Sequence, residues 1–302
     1  MFKRKKKSPV QNTIGFHEDG ISYVQVDHQS AGSPRVSALE FFSCDTESRS
    51  ETLNTLVKKY KLKKAECSSF LRVEDYRLMS TEKPEVPEED LIDALRWDIK
   101  DSIGFPLEEA TIDVFSVSTE AANQTQINVV AAKKVAIDEQ AAIFKEANLK
   151  LNMIDIEELA FRNIAATQEK ESLGSVVVIL RKDHGMVLFC KSGELHFSRR
   201  LASGYDVLNG DPGQIESIAL EIQRSIDYFD RHFANIGINN LILLPYSGNV
   251  ENTVSFLNNN LTVSCSLADL STGIEWEQEF NPQEKVRCLL ALGVALRVEG
   301  MS

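Results

Sequence analysis

The sequence predicts an α/β protein of two lobes built on one repeated plan, with a small α+β subdomain inserted into the first lobe. Three observations carry this. A meander of three short strands feeding a helix occurs twice, once from Ile14 onward and once from Ser175 to Phe229. Such self-similarity is the mark of internal duplication. A proline-rich acidic break, Thr81 to Pro87, interrupts the first copy and is followed by a unit with its own helix and strand periodicities. After the second meander, helices and strands alternate to the C-terminus, which argues for layered sheets and helices.

Taken in order, Ile14-Gly15-Phe16 is the first strand, His17 to Gly20 a turn, Ile21 to Val26 the second strand and Val36 to Phe42 the third. A helix begins near Glu51 and runs to Tyr60, with Leu53, Leu56 and Val57 on one face and Lys58 and Lys59 at its negative end. Ala65 to Leu71 is a further strand. Beyond the break, Pro87-Glu88-Glu89-Asp90 opens a helix with proline and carboxylates in its first turn. Leu91, Ile92, Leu95, Ile99 and Ile103 recur at spacings of three and four, and the helix stops before Gly104-Phe105-Pro106. Strands over Thr111–Val117 and Ile127–Ala132, then a helix over Ile137–Ala147, complete an α-β-β-α unit. Leu151–Ile156 leads into a helix that reaches about Gln168.

The second copy runs Ser175–Leu180, Met186–Cys190 and Leu195–Arg200, with a helix from Ile215 to Phe229. Leu241–Leu244 is a buried strand, Val250–Asn258 a helix, and Gln283–Arg297 a closing helix that returns to the first lobe. The predicted divisions are a basic tail at 1–12, the first lobe at 13–80, the inserted subdomain at 81–150 and the second lobe at 151–302.

The totals narrow the function. No apolar run approaches the roughly 18 residues of a membrane span, and no apolar stretch of a signal peptide follows the basic N-terminus. The expectation is a cytoplasmic protein. A net charge of −12 disfavours nucleic acid, whose affinity comes largely from phosphate neutralisation. The five cysteines form no Cys-x-x-Cys pair and read as small buried hydrophobes. The five histidines, His17, His28, His184, His196 and His232, show no ligand spacing and read as surface or turn residues, so no metal site is expected. No Gly-x-Ser-x-Gly turn is present, which removes a nucleophile elbow. Phe2-Lys3-Arg4-Lys5-Lys6-Lys7 is the one strong charge run. Each such charge contributes about 1 kcal/mol at an anionic membrane surface, enough to assist attachment and too little to anchor.

Three groups of segments resemble the actin-like proteins of type IV pilus assembly, the PilM family. One is Asp93 to Asp98 with Ile103 to Glu109 and Ile112-Asp113. The second is Val130 to Lys134 with Asp155-Ile156-Glu157. The third is Arg200 to Gly204 with Leu220 to Phe229 and the closing Ala291 to Arg297. The sequence is most similar to the branch serving the mannose-sensitive haemagglutinin (MSHA) pilus, the MshI branch. The resemblance implies a duplicated, actin-like (ribonuclease-H-like) fold. It also implies a scaffold at the inner membrane that holds the cytoplasmic tail of a bitopic, PilN-like membrane partner near the assembly ATPase. A groove beside the inserted subdomain then takes the tail, with Trp97, Phe105 and Pro106 as candidate contacts, although by residue pattern alone the three read more readily as the subdomain's core.

An actin-like site grips phosphates with two hairpins, each supplying an Asp for the metal-bound water and a Gly-Ser/Thr turn. This chain departs at both. His17 stands where the first Asp belongs, and Ile179-Leu180-Arg181 occupies the second Asp-Ile-Gly. Asp19, Gly20, Asp183, Gly185, Gly204 and Gly248 mark what is left of the pocket. Tyr205 follows Gly204 and Tyr246 precedes Gly248, which crowds places where backbone must approach a nucleotide. The expectation is a scaffold with no enzymatic activity and no cofactor. The alternative is an actin-like protein that binds or hydrolyses ATP with Mg and controls pilus assembly through its nucleotide state.

Overall fold

A computed structural model describes residues 10–28, 32–116, 126–169, 173–209, 212–233 and 236–298. The first copy of the plan is β1 (Val10–His17), β2 (Gly20–Asp27) and β3 (Arg35–Ser43), an antiparallel meander, followed by α1 (Arg49–Lys59). β4 (Glu66–Phe70) then pairs parallel to β1. Next come β5 (Tyr76–Glu82), α2 (Leu91–Ile99), β6 (Ala110–Ser116) and β7 (Gln126–Lys133), which build a separate three-stranded sheet in the order β5-β7-β6. α3 (Lys134–Glu146) returns the chain to β8 (Lys150–Asp155), parallel to β4, and α4 (Glu157–Gln168) leaves the first lobe.

The second copy repeats the pattern. β9 (Gly174–Leu180), β10 (Gly185–Lys191) and β11 (Glu194–Leu201) form the meander, and α5 (Pro212–His232) follows. β12 (Ile238–Leu243) pairs parallel to β9, α6 (Val250–Asn260) crosses over, and β13 (Ser264–Leu267) pairs parallel to β12. The short β14 (Glu275–Trp276) adds to the edge of β3, and α7 (Pro282–Arg287) and α8 (Leu289–Ala295) end the described fold. The two sheets run β14-β3-β2-β1-β4-β8 and β11-β10-β9-β12-β13, so their five shared strands have the same order and sense.

Apolar pattern explains the layering. Every residue of β9 is buried, as a central strand covered on both faces requires. α5 is amphipathic and buries Ile218, Ile222, Ile226 and Phe229, with the Phe229 ring stacked on Phe189 at 4.4 Å. α4 and α8 lie at the seam: the largest core joins Val24 and Val26 of the first lobe to Val177 and Ile179 of the second through these two helices. They approach closely because Gly293 has no side chain. A Cβ there would sit 2.3 Å from the carbonyl oxygen of Ala160. Asn163 donates from Nδ2 to the Gly293 carbonyl at 2.8 Å across the same contact.

Several expected boundaries move. The basic tail ends earlier than residue 12, because β1 starts at Val10; residues 1–9 lie outside those described. The inserted subdomain starts at β5, so the expected linker over Thr81–Pro87 begins inside a strand paired along its length with β7. At the other end, α3 belongs to the first lobe: Phe144 is fully buried there and meets Phe16 edge-on at 5.9 Å. β8, placed by the sequence at the head of the second lobe, completes the first sheet. The insertion is therefore β-α-β-β and not α-β-β-α. The expected closing helix over Gln283–Arg297 is two helices separated at Cys288. The C-terminal return to the first lobe is as expected, for α8 packs against β1, β2 and β4. Four of the five cysteines are buried and Cys44 is half-buried; all are free thiols, and burial pushes those of Cys67, Cys190 and Cys288 up to about 12.

Candidate functional site

Two regions concentrate function-bearing residues: the cleft where the two hairpins face each other, and a groove between the inserted subdomain and the first lobe.

In the first hairpin, side chains fill the space beneath the turn. A Cβ on Gly15 would lie 2.2 Å from the Phe70 ring, and one on Gly20 would lie 2.3 Å from the Phe42 carbonyl oxygen. His17 ends β1 beside the turn and is half-buried. Its ring lies 5.3 Å from that of Phe41 and 5.6 Å from that of Phe70, and Nε2 bonds Ser22 Oγ at 2.8 Å. Burial, with help from the Arg181 cation, lowers its pKa to about 4. Arg49 donates to the His17 carbonyl at 2.7 Å. Asp19 is paired with Arg287, whose guanidinium lies 3.4 Å from the Phe41 ring centre.

In the second hairpin, Asp183 is exposed and accepts from His184 Nδ1 at 2.7 Å. Gly185 opens β10 opposite Leu180. Gly204 packs against the hairpin backbone, where a Cβ would be 2.2 Å from the Arg181 carbonyl oxygen. The turn after Gly204 docks there too: Tyr205 N–H donates to the Arg181 carbonyl at 2.8 Å and Asp206 N–H to that of Lys182 at 3.0 Å. Tyr205 stacks on Tyr246 at 5.0 Å, and a Cβ on Gly248 would be 2.3 Å from the Tyr246 ring. The six residues expected to mark a pocket thus border backbone–backbone and ring–ring contacts, with Asp19 and Asp183 each turned to a cationic or imidazole partner.

Behind these turns lies a charged network whose pairings had no forewarning in the sequence. Glu157 and Glu158 open α4. Arg181 from the second lobe pairs with Glu157 at 3.1 Å, and Arg200 from β11 approaches Glu158 at 3.7 Å. Tyr76, at the root of the inserted subdomain, donates to Glu158 at 2.5 Å, and the Arg200 guanidinium lies 5.3 Å from its ring centre. Three parts of the molecule meet at two carboxylates. Burial raises the Glu158 pKa against the pull of Tyr76 and Arg200.

The groove lies on the other side of the same β8–α4 junction. Thr111, Asp113 and Phe115 from β6 and Val130 and Ala132 from β7 face Leu71, Ile137, Ile154, Ile156 and Leu159 across about 360 Å³. Besides Asp113, three charged side chains, Asp155, Arg162 and Arg297, reach the same space. Asp155 is 2% exposed and pairs with Arg297 at 3.2 Å. The C-terminal segment that carries Arg297 is held in place: Gln11 Nε2 donates to its carbonyl at 3.0 Å, and His28 Nε2 bonds the Ala295 carbonyl at 2.8 Å. An apolar slot with a few fixed polar groups is the ordinary form of a peptide or ligand site.

The predicted partner contacts are elsewhere. α2 packs through Leu91, Leu95 and Ile99 on the sheet face that carries Ile112, Ile127, Val129 and Ala131, so it lies on the side away from the groove. Trp97 is on the outer side of α2 and 70% exposed, Phe105 packs against the subdomain core, and Pro106 is exposed before a short 3-10 turn. None of the three lines the groove.

With this geometry in view, the comparisons can be placed. Residues 44–181, which run from α1 through the inserted subdomain to the end of β9, match the sequence model of the family described as type IV pilus assembly protein PilM. Over that stretch the chain is similar to the PilM family. A solved PilM–PilN type IV pilus biogenesis complex superposes with a TM-score of 0.75 at 17% identity, covering 96% of this chain and 98% of that one. The cytoplasmic domain of EpsL, an inner-membrane component of the type II secretion system of Vibrio cholerae, gives 0.53 at 14% identity over 97% and 100%. A Bacteroides thetaiotaomicron protein with an actin-like ATPase fold gives 0.52 at 11% identity over 96% and 98%. These likenesses establish the actin-like fold. No curated protein sequence matches. No helix among the described residues is long and apolar enough to cross a membrane.

Of the functional residues missed, Arg297 and Asp155 stood within segments that carried the family resemblance. Arg200 also stood in a resemblance segment and Arg181 in the second hairpin, whereas Tyr76 had no sequence signal; the pairings of all three depend on three chain segments meeting.

Proposed function

We propose that this chain is a cytoplasmic scaffold of a type IV pilus assembly platform, of the MSHA type, and that it holds the cytoplasmic tail of a bitopic, PilN-like membrane protein. The observation that carries the reading is the groove, an apolar slot with a charged floor between the inserted subdomain and the first lobe, lined, apart from Arg297, from within the stretch that matches the PilM family. The solved relative is a complex with PilN, which supports a partner of that kind. An extended tail can place aliphatic side chains against Phe115, Val130 and Ile137 and one polar group against Arg297.

The same proposal assigns the cleft a structural role with no turnover. An Mg–triphosphate needs free carboxylates, open glycine turns and unfilled space. Here Asp19 is taken up by Arg287, Phe70 sits under Gly15, and Tyr205 and Tyr246 stack across the second lobe's turns. These contacts disfavour the alternative of a nucleotide-switched ATPase.

The test is fluorescence anisotropy with the labelled cytoplasmic N-terminal peptide of the membrane protein encoded beside this gene. Saturable 1:1 binding that Val130→Trp weakens at least ~10-fold, with the fold intact by circular dichroism, supports the reading. Binding that ignores a bulky group in the groove refutes the assignment of the site.

A further inference from the structure

Trp97 is the most exposed large hydrophobic side chain among those described, at 70%. The subdomain core does not need it, because Leu91, Leu95 and Ile99 already fill the inner face of α2. Its neighbours are charged: Asp93 lies four residues before it on the same stripe of α2, Asp98 is adjacent, and Asp101 follows in the turn just past the helix. A cation already stands over the indole, for Lys100 Nζ is 5.6 Å from the ring centre. The surrounding sequence is lopsided. Residues 82–113 hold eleven carboxylates and three basic side chains, against −12 for the whole chain. An exposed indole set among carboxylates is a surface for Lys and Arg, combining cation–π and charge–charge attraction.

The same chain carries the complementary segment, Lys3-Arg4-Lys5-Lys6-Lys7. We propose that the Trp97 face of α2 holds this basic N-terminal segment of a second copy of the chain.

The chain's own α2 is the less favourable site, and a contact there would leave the protein monomeric. β1 and β4 are parallel, with Asn12 opposite Cys67, so Val10 lies at the end of the sheet away from Phe70, where the chain leaves for the inserted subdomain. That distance alone is about 17 Å at ~3.3 Å per strand residue. α2 lies on the far face of the three-stranded sheet from the groove, roughly 10 Å further out. Lys3 is seven residues before Val10 and reaches at most about 24 Å when fully extended. The contact joins different surfaces on the two copies, so it is head-to-tail and propagates into rings or filaments.

The test uses the full chain and a form lacking residues 2–8, a deletion that stops before β1. Sedimentation velocity of the full chain at about 20 mM salt should show concentration-dependent association that ~0.5 M salt abolishes. The deleted form should stay monomeric, and Trp97→Ala or Asp93→Asn with Asp101→Asn should weaken association at least ~5-fold. A synthetic peptide of residues 1–10 added to the deleted form should change tryptophan emission, with Trp276 as the only other indole. That change should vanish in Trp97→Ala. The proposal is overturned if the full chain is monomeric at low salt while binding phosphatidylglycerol vesicles through its tail. It is equally overturned if association survives the deletion, or if the peptide binds without altering Trp97 emission.

Discussion

His17 offers a quantitative test of how the first hairpin is built. Enclosed by Phe41, Phe70 and Ser22 and facing Arg181, Arg287, Arg49 and Asp19, it titrates at about 4 in the folded state against an ordinary 6.5. The sign follows from proton counts. Between these values the unfolded chain binds the proton and the folded chain does not, so stability is full above 6.5 and is lost as pH falls toward 4. At ~1.36 kcal/mol per unit, the loss between about pH 7.5 and 4.5 is roughly 2.5 kcal/mol from this group alone. Carboxylates also titrate in this range, so the readout is a difference. Urea unfolding of the wild type and of His17→Gln, which keeps a donor for Ser22 and cannot titrate, should be measured at both pH values. The gap between the two proteins should shift by about 2–3 kcal/mol in favour of His17→Gln on acidification. Parallel profiles would mean that the imidazole is solvated and that the turn is open.

Other perturbations probe different links. Gly293→Ala should destabilise by up to about 2 kcal/mol in urea unfolding: an overpacking cost of ~1–3 against the Ala160 backbone is reduced by a helix-propensity gain of ~1. Tyr76→Phe removes the donor to buried Glu158 and should cost about 1–3 kcal/mol in the same assay, with Arg200→Met adding less than its separate effect because the groups share one network. Titrating ATP with magnesium into the pure protein should give no heat and no thermal shift; micromolar affinity would remove the proposal of a closed cleft. Trp97→Ala should leave groove binding of the partner peptide within ~2-fold, because α2 is on the opposite side of its sheet.

The fold was readable because it is written in local pattern. The run Val176 to Leu180 and the stripe Ile218, Ile222, Ile226, Phe229 each specify one element, and their repetition specifies the plan. What failed were places where pairing partners are far apart. Tyr76–Glu82 has a mixed, half-exposed sequence and becomes a strand only because β7, about 50 residues later, pairs with it. Phe144 gives no sign that its helix covers the first lobe and not the inserted subdomain. Asp19, Gly20, Asp183 and Gly185 lie at or beside hairpin turns, since glycines and carboxylates mark turns by their own chemistry. Their partners were not found, because Arg287 meets Asp19, and Arg181 meets Glu157, only after the chain has folded back. Trp97 stood out by residue type, but composition does not reveal which side of a three-stranded sheet a helix covers.

The most direct measurement is calorimetric titration of the neighbouring membrane protein's cytoplasmic N-terminal peptide into the wild type, Val130→Trp and Trp97→Ala. A groove-held tail predicts saturable one-to-one heat for the wild type and Trp97→Ala and little or none for Val130→Trp. Equal heat from all three, or none from the wild type, would contradict it.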